Sequence, residues 1–181
     1  MVYTKLVKNR RSLLQLVAFG VAVIALLFSG SQAIPHPTKA DVNEAVCSWE
    51  LPRVAEVIDG DTIKVKNENT NAVATVRLIG VDTPETKDPR KPVQYYGKEA
   101  SNYTKDQLEG KKVILEGDVE GRDKYSRALC YVRLADGTLF NEQLVTEGYA
   151  RVDTFPPNIK YKQLFEKAEA DAKQNNRGLW K

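Results

Sequence analysis

The chain of 181 residues has room for one ordinary domain with appendages, and its 42% hydrophobic residues beside many charged ones are typical of a soluble globular fold. Two cysteines and one histidine exclude a zinc site with the usual four ligands. That histidine, His36, lies ahead of the expected domain, so histidine-based acid–base and nucleophilic chemistry are excluded too. Carboxylates, arginines and a metal ion are left as the chemical groups of any active site.

The first 33 residues have the layout of a secretory signal peptide. Four basic residues precede an apolar run over 13–28, and a triplet of small residues follows at 31–33. An uncleaved membrane anchor is the alternative, because the run lies just below the roughly 20 residues that span a bilayer. Removal of residues 1–33 takes away four positive charges and no negative ones, which changes the formal net charge from +3 to −1. Any attraction for phosphate must therefore be local.

Residues 34–50 contain two prolines and no clear periodicity, so they are predicted to form a linker ahead of a domain over 51–181. The cysteines Cys47 and Cys130 would meet oxidising conditions after export, where they could form a disulfide. The alternative is that Cys130, inside the apolar stretch ALCYVRL, is a free and buried small hydrophobic residue. The sequence leaves this choice open.

Alternation of apolar and polar residues predicts five strands in chain order. They are expected at 54–58, 63–66, 73–81, 111–119 and 127–134. Five short strands with inserted and appended helices are the pattern of a partly open Greek-key barrel. The predicted fold is therefore α+β, mainly β, with a five-stranded barrel of the OB type and about three helices.

The helices are predicted from their end signals and periodicity. The first ends at Gly110, and the second has Asn141 as N-cap and ends at Gly148. The third is predicted to run to Gly178. Its apolar residues lie on one buried stripe, which consists of Tyr161, Leu164, Phe165, Ala168 and Ala172.

Five motifs follow one another along the domain: IDGDT (58–62), RLIGVDTPET (77–86), YYGKEAS (95–101), DKYSR (123–127) and RGLW (177–180). In these motifs and their order, the chain from about residue 54 to residue 180 resembles the staphylococcal nuclease family. The resemblance implies a calcium-dependent endonuclease that leaves 3′-phosphate and 5′-hydroxyl ends. DNA and RNA are both expected as substrates, because the attack requires no ribose hydroxyl.

Two aspartates at predicted strand ends are candidate metal ligands. Asp61, Asp82 and the carbonyl of Thr83 are the residues that the resemblance implies for Ca²⁺, and hard oxygen ligands of this kind suit that ion. On its own, an aspartate beside a turn indicates ordinary turn chemistry. For Asp59 that interpretation is preferred.

Two arginines and a glutamate are the candidate catalytic residues. Arg77 and Arg127 lie on predicted strands, where an arginine is ordinarily an outward, solvated residue. The resemblance implies that both bind the phosphodiester under attack, and guanidinium forks stabilise charge on phosphate oxygens. It also implies that Glu85, which follows Pro84, orients or deprotonates the attacking water; the choice between these two roles stays open.

The substrate contacts show one departure from the family. Lys124 and Tyr125 match positions that contact a terminal phosphate, which makes them candidate substrate-binding residues. The family usually has two tyrosines after the strand that here reads YARV, and one of them stacks on a base, whereas this chain has DTFPPN (153–158). Phe155 is the remaining aromatic candidate, and stacking contributes about 1–3 kcal/mol per base.

Two other functions fit a fold of this type. One is a catalytically silent OB module that binds nucleic acid, and the other is an envelope-anchored domain that binds a protein or polysaccharide. The complete set of acids and arginines favours a secreted or envelope-located nuclease. No apolar surface stripe beyond the core pattern is evident, so a monomer without a stable protein partner is expected, with membrane contact only if residues 1–33 are retained.

Overall fold

The computed structural model describes residues 46–87 and 92–181. The predicted export segment 1–33 and residues 34–45 of the predicted linker lie outside the described residues. Within the described ranges, none of the helices combines the length and apolar character that a membrane crossing requires.

Seven strands occur in the described part of the chain: β1 (Arg53–Asp59), β2 (Thr62–Lys66), β3 (Val73–Leu78), β4 (Gly80–Asp82), β5 (Ile114–Glu116), β6 (Ala128–Arg133) and β7 (Arg151–Asp153). Five of them form one sheet in the order β1-β2-β3-β6-β5, in which β3 runs parallel to β6 and the other neighbours are antiparallel. β4 and β7 form a separate antiparallel pair. Backbone bonds from Val54 to Lys111 and from Val113 to Pro52 bring β1 beside the segment that leads into β5.

Three α-helices accompany these strands among the described residues: α1 (Gly97–Leu108), α2 (Phe140–Thr146) and α3 (Lys162–Gln174). The α+β, mainly β architecture with a five-stranded sheet and three helices is confirmed. The core lies between the sheet and the helices, and its largest fully buried side chains include Tyr131, Phe140, Phe165, Ile63 and Leu78.

Three details of the predicted helices are wrong. Asn141 is not an N-cap; it lies inside α2, where its buried amide donates to the Ile79 carbonyl and accepts from the Val132 N–H. The third helix ends at Gln174 and not at Gly178. Leu164, which periodicity placed on the buried stripe, is 38% exposed.

The strand predicted over 73–81 is divided in two at Gly80. In β3 the residues Ala74, Val76 and Leu78 are buried in alternation, as a half-buried strand requires. Gly80 then adopts a φ of 78°, and a Cβ at this position would lie 2.7 Å from the ring of Phe165. Glycine adopts this conformation without steric cost. The chain therefore leaves the main sheet here, and β4 pairs with β7.

The folded domain begins before residue 51. Val46 is fully buried, and Cys47 forms a disulfide with Cys130 of β6, with their Cα atoms 6.0 Å apart. The disulfide alternative is therefore the one that the structure shows, although Cys130 is also fully buried. Residues 46–50 belong to the fold and not to the linker. Periodicity misses them because one valine and one covalent bond hold them in place.

We expect the disulfide to stabilise the domain, because it closes a loop with a sequence separation of 83 residues. Replacement Cys47→Ser should lower the free energy of unfolding by about 2–5 kcal/mol. Urea denaturation of both proteins, with and without reductant, measures this. Reductant should destabilise the natural chain and leave the variant unchanged; equal midpoints for the two oxidised proteins would contradict the prediction.

A polar network joins the sheet to the segment before α3. Glu116 of β5 accepts bonds from Arg133 Nε (3.1 Å), from Tyr161 Oη (2.8 Å) and from Lys160 Nζ. Burial raises the pKa of Glu116, but these three donors outweigh it and the pKa lies below its ordinary value. The folded state therefore favours the ionised carboxylate. Its contribution to stability is complete above the unfolded pKa and is lost as pH falls through the lower folded pKa.

Replacement Glu116→Gln should lower the free energy of unfolding at pH 7 by about 1–3 kcal/mol, because it removes charge-assisted bonds. The difference between variant and natural chain should shrink as the pH falls from 5 to 3. Urea denaturation across this range measures it, with Glu99→Gln on the exposed face of α1 as a control. A difference that stays constant with pH would show that the charge of Glu116 plays no part.

Candidate active site

The turn between β1 and β2 is held against the loop after β4. Gly60 leaves no room for a side chain there, since a Cβ would lie 2.7 Å from the hydroxyl oxygen of Thr83. Asp59 accepts from the Gly60 N–H, as a turn aspartate does, and it also accepts from the Thr86 hydroxyl, both at 2.9 Å. Thr104 of α1 donates to the Gly60 carbonyl at 2.6 Å. The IDGDT motif is thus a turn fixed by α1 and by the loop after β4.

Asp61, at the end of this turn, is a buried acceptor of several bonds. Its Oδ1 accepts from the Thr62 hydroxyl at 2.9 Å, and its Oδ2 accepts from the N–H and hydroxyl of Thr83 at 2.9 and 3.0 Å. Oδ2 also pairs with Arg77 Nη1, a buried nitrogen that has no aligned hydrogen bond. The side chains of Arg77 and Asp61 are only 16% and 10% exposed. Removal of either partner would leave a poorly solvated charge.

Asp82 lies at the end of β4 and is the second carboxylate on the same guanidinium. Its Oδ1 is 3.2 Å from Arg77 Nη2, and its side chain is 56% exposed. Partial burial raises the pKa of Asp82 above its ordinary value, and the negative charges of Asp61 and Asp153 act in the same direction against Arg77. The charges of two neighbouring carboxylates therefore act on Asp82.

The oxygen ligands in this part of the site are of the kind that calcium prefers, but they are fewer than calcium takes. Asp61 and Asp82 gather at one guanidinium, and Thr83 supplies a backbone carbonyl between the same elements. Calcium takes about six to eight oxygen ligands, so water or substrate oxygens would have to complete the shell. Over 46–87 and 92–181 no cluster of three or more acidic, histidine or cysteine residues could hold a metal. The protein therefore offers two carboxylates and one carbonyl as ligands, and not a complete coordination shell.

The two arginines lie on neighbouring parallel strands. Arg77 of β3 is in register with Leu129 of β6, and Arg127 directly precedes β6. Arg127 Nε donates to Asp123 Oδ2 at 2.6 Å, and its Nη1 lies 3.5 Å from the Thr62 hydroxyl. Each guanidinium is thus oriented by a carboxylate on its own side of the site.

Glu85 is held through its backbone on the loop after β4. Its N–H donates to Gln94 Oε1 and its carbonyl accepts from the Gln94 N–H, both at 3.0 Å. One of its carboxylate oxygens accepts from the Lys87 N–H at 2.6 Å. Burial raises the pKa of Asp59, and a hydrogen bond from Glu85 raises it further. The bonds that Asp59 accepts from Gly60 and Thr86 act against this rise.

The predicted site residues border two cavities. The first, the acidic cavity, has a volume of about 490 Å³, and the second, the aromatic cavity, has a volume of about 480 Å³. Both volumes lie within the range of small-molecule sites, roughly 300–1,000 Å³. The acidic cavity is lined by three residues that it shares with the aromatic cavity and also by Asp59, Asp61, Asp82, Thr83, Glu85, Lys87 and Gln94. Arg77, Tyr125 and Arg127 line both cavities.

The aromatic cavity contains the three candidate substrate contacts. Tyr125 and Phe155 are 68% and 69% exposed, and both line this cavity. Lys124 Nζ and the Arg127 guanidinium lie 5.1 and 5.5 Å from the centre of the Tyr125 ring, which is a cation–π geometry. All nine residues singled out in the sequence therefore border one cavity or the other.

Comparison with known proteins gives a consistent result. Residues 75–181 match the family described as staphylococcal nuclease homologue. A thermonuclease of Staphylococcus intermedius is 50% identical over 127 residues, which cover 70% of this chain and 74% of that protein. The chain belongs to the staphylococcal nuclease family. A thermonuclease of Staphylococcus hyicus is 46% identical over 128 residues, or 71% and 74% of the two chains. Endonuclease YncB of Bacillus subtilis is 45% identical over 125 residues, or 68% of this chain and 58% of its own length.

The part of the chain that matches the staphylococcal nuclease family includes nearly the whole candidate site. The matched residues include every predicted site residue except Asp61, which lies ahead of them in the IDGDT turn. The structure ties Asp61 to the matched part through its bonds with Thr83 and its ion pair with Arg77.

Three side chains of the site were not anticipated from the sequence. Asp123 orients Arg127, and its position in the DKYSR motif, four residues ahead of the arginine, is a usable signal. Gln94 holds the backbone of Glu85 from a loop without periodicity, so the sequence gives no signal for it. Asp153 lines the aromatic cavity and was visible only as part of the departure DTFPPN.

Proposed function

We propose that this chain is a calcium-dependent endonuclease that hydrolyses phosphodiester bonds of DNA and RNA and leaves 3′-phosphate and 5′-hydroxyl ends. The observation that carries the proposal is the convergence of Arg77, Arg127, Glu85, Asp61 and Asp82 on one cavity. The relatives named thermonuclease and endonuclease support a nuclease activity. The substrates, the products and the calcium requirement rest on the site chemistry together with the family resemblance.

In this proposal Arg77 and Arg127 bind the nonbridging oxygens of the scissile phosphate. Negative charge grows on those oxygens as the nucleophile approaches, and two preorganised guanidinium groups stabilise it. Asp61 and Asp123 hold the two guanidinium groups before the substrate arrives. The arginines therefore need little rearrangement at the moment of reaction.

Glu85 is the group that acts on the attacking water. Its backbone is fixed by Gln94, so its carboxylate has a defined place in the acidic cavity. No histidine occurs in the described residues, so a carboxylate is the natural acceptor for a hydrogen bond or proton from water.

Asp61, Asp82 and the carbonyl of Thr83 would hold the calcium ion. When bound, such an ion neutralises phosphate charge and helps to place the water for in-line attack. The charge of the cavity supports this assignment. Four acids and three bases line it, so that without a cation it offers no net attraction for phosphate.

Lys124, Tyr125 and Phe155 are proposed to bind the nucleotide beside the cleaved bond. A lysine and a tyrosine hydroxyl suit a terminal phosphate, and the exposed ring of Phe155 suits stacking on a base. The aromatic cavity shares Arg77 and Arg127 with the acidic cavity, so one nucleotide can reach both.

The protein is proposed to act outside the cytoplasm as a monomer, after removal of residues 1–33. The Cys47–Cys130 disulfide supports export, because such bonds persist in oxidising compartments. A retained N-terminal segment would instead tether the domain to the envelope.

Hydrolysis of labelled single-stranded DNA and RNA by the purified protein, with calcium or with excess chelator, tests the function. We expect cleavage to 3′-phosphate ends with calcium and none with chelator. Arg127→Ala should lower kcat by roughly 10²–10³-fold with a nearly unchanged urea midpoint, since the charge it stabilises appears in the transition state. Arg53→Ala, outside both cavities, is the matched control. Binding of DNA without any cleavage would favour a catalytically silent module.

The metal assignment is tested with Asp82→Asn, because Asp82 is exposed and its replacement should disturb the fold little. We expect Ca²⁺ binding, measured by calorimetry with Ca²⁺ alone, to weaken by at least about tenfold when one charged ligand is lost. Asp106→Asn, an exposed acid of α1 outside both cavities, should bind Ca²⁺ like the natural chain. An unchanged titration for Asp82→Asn would remove Asp82 from the metal site.

A further inference from the structure

The carboxylate of Asp153 has no assigned role in the site described above. It lies at the end of β7, is half-buried and lines the aromatic cavity. No hydrogen bond or ion pair reaches it from the residues that the structure describes, in contrast to Asp61, Asp82 and Asp123. The two oxygens of this carboxylate can therefore accept hydrogen bonds from a ligand that enters the aromatic cavity.

The position of Asp153 points to the base of the bound nucleotide. In the pairing of β4 with β7, Asp153 is opposite Gly80 and Asp82 is opposite Arg151, so Asp153 and Asp82 lie two pairs apart. Phe155 follows two residues later at the same cavity. A nucleotide whose phosphate contacts Arg77 and Arg127 and whose base enters the aromatic cavity would therefore bring the edge of that base to Asp153.

The chemistry of an ionised carboxylate decides which base edge it accepts. It has only acceptors, and in a single strand the Watson–Crick edge of a base is free to bind it. Guanine offers two adjacent donors, N1–H and the N2 amino group, which match the two carboxylate oxygens. Thymine and uracil offer one N–H between two carbonyl oxygens, and those oxygens are repelled by a carboxylate. Bidentate charge-assisted pairing is also the stronger kind.

We infer that Asp153 is a specificity-determining residue that selects guanine over thymine or uracil beside the cleaved phosphate. The inference rests on the proposed nuclease function for its site, but base selection is separate from catalysis. Glu120 also lines the aromatic cavity, yet only Asp153 lies on the strand that pairs with β4 and reaches Asp82 electrostatically.

Cleavage of a single-stranded DNA library of random sequence, stopped at low conversion and sequenced at the cut ends, tests the inference. We expect guanine to exceed thymine at one position beside the cut by roughly 5- to 150-fold, the range of a good bidentate base contact. Asp153→Asn replaces one acceptor with a donor and should bring the ratio close to one. Glu120→Gln should keep the preference of the natural chain.

A binding experiment keeps base selection distinct from catalysis. Fluorescence anisotropy with Ca²⁺ compares two pentanucleotides that have cleavage-resistant phosphorothioate linkages and differ only in a central guanine or thymine. Tighter binding of the guanine probe by the natural chain, lost in Asp153→Asn, would support base selection even if the protein never cleaves DNA. Equal binding of both probes, or a guanine preference that survives Asp153→Asn in either experiment, would overturn the inference. In calorimetry, Asp153→Asn should weaken Ca²⁺ binding less than Asp82→Asn does; an equal loss would also overturn the inference, because Asp153 would then serve the metal.

Discussion

The ion pair between Arg77 and Asp61 is the contact on which the rest of the site depends. Asp61 takes donors from the backbone and hydroxyl of Thr83 and from Thr62, while Arg77 reaches onward to Asp82. The β1–β2 turn, strand β3 and the end of β4 are therefore fixed by one pair of opposite charges. A pair with so little exposure costs much to desolvate, and it is tolerated because Asp61 accepts three further hydrogen bonds from Thr62 and Thr83.

The charges that matter for the site are concentrated around one cavity and are not reflected in the net charge of the protein. Without residues 1–33 the formal charge is slightly negative, yet the acidic cavity is lined by two guanidinium groups together with four carboxylates. Such an arrangement suits a reaction in which a polyanion and a cation must meet. It also explains why overall composition gives a weak indication of nucleic-acid chemistry in this chain, whereas the short motifs give a strong one.

Sequence patterns predicted the elements well wherever local spacing decides burial. The alternation in β3 and the existence of the three helices follow directly from it. The errors occur where a distant partner decides. Asn141 bonds to Ile79 and Val132, which are remote in sequence, and Leu164 is exposed although its spacing fits the stripe. Residues 46–50 are held by a bond to Cys130, which no local pattern encodes.

For the candidate site too, local motifs were informative and distant partners were not predicted. The eight predicted site residues inside the five motifs, and Phe155 outside them, all border the two cavities, and their roles stay predictions. Gln94 and Asp153 lie in segments without a motif or periodicity, and only the fold brings them to the site. What the sequence could not supply was the set of side chains that act on the site from outside its motifs.

The shared wall of the two cavities limits how this protein can change. Arg77, Tyr125 and Arg127 line both the acidic and the aromatic cavity, so any substitution among them alters both cavities at once. Side chains that border the aromatic cavity alone, such as Phe155, are free of that restriction. Variation in what the protein accepts as substrate can therefore accumulate on the strand and loop of β7, while the chemistry remains constant on β3 and β6.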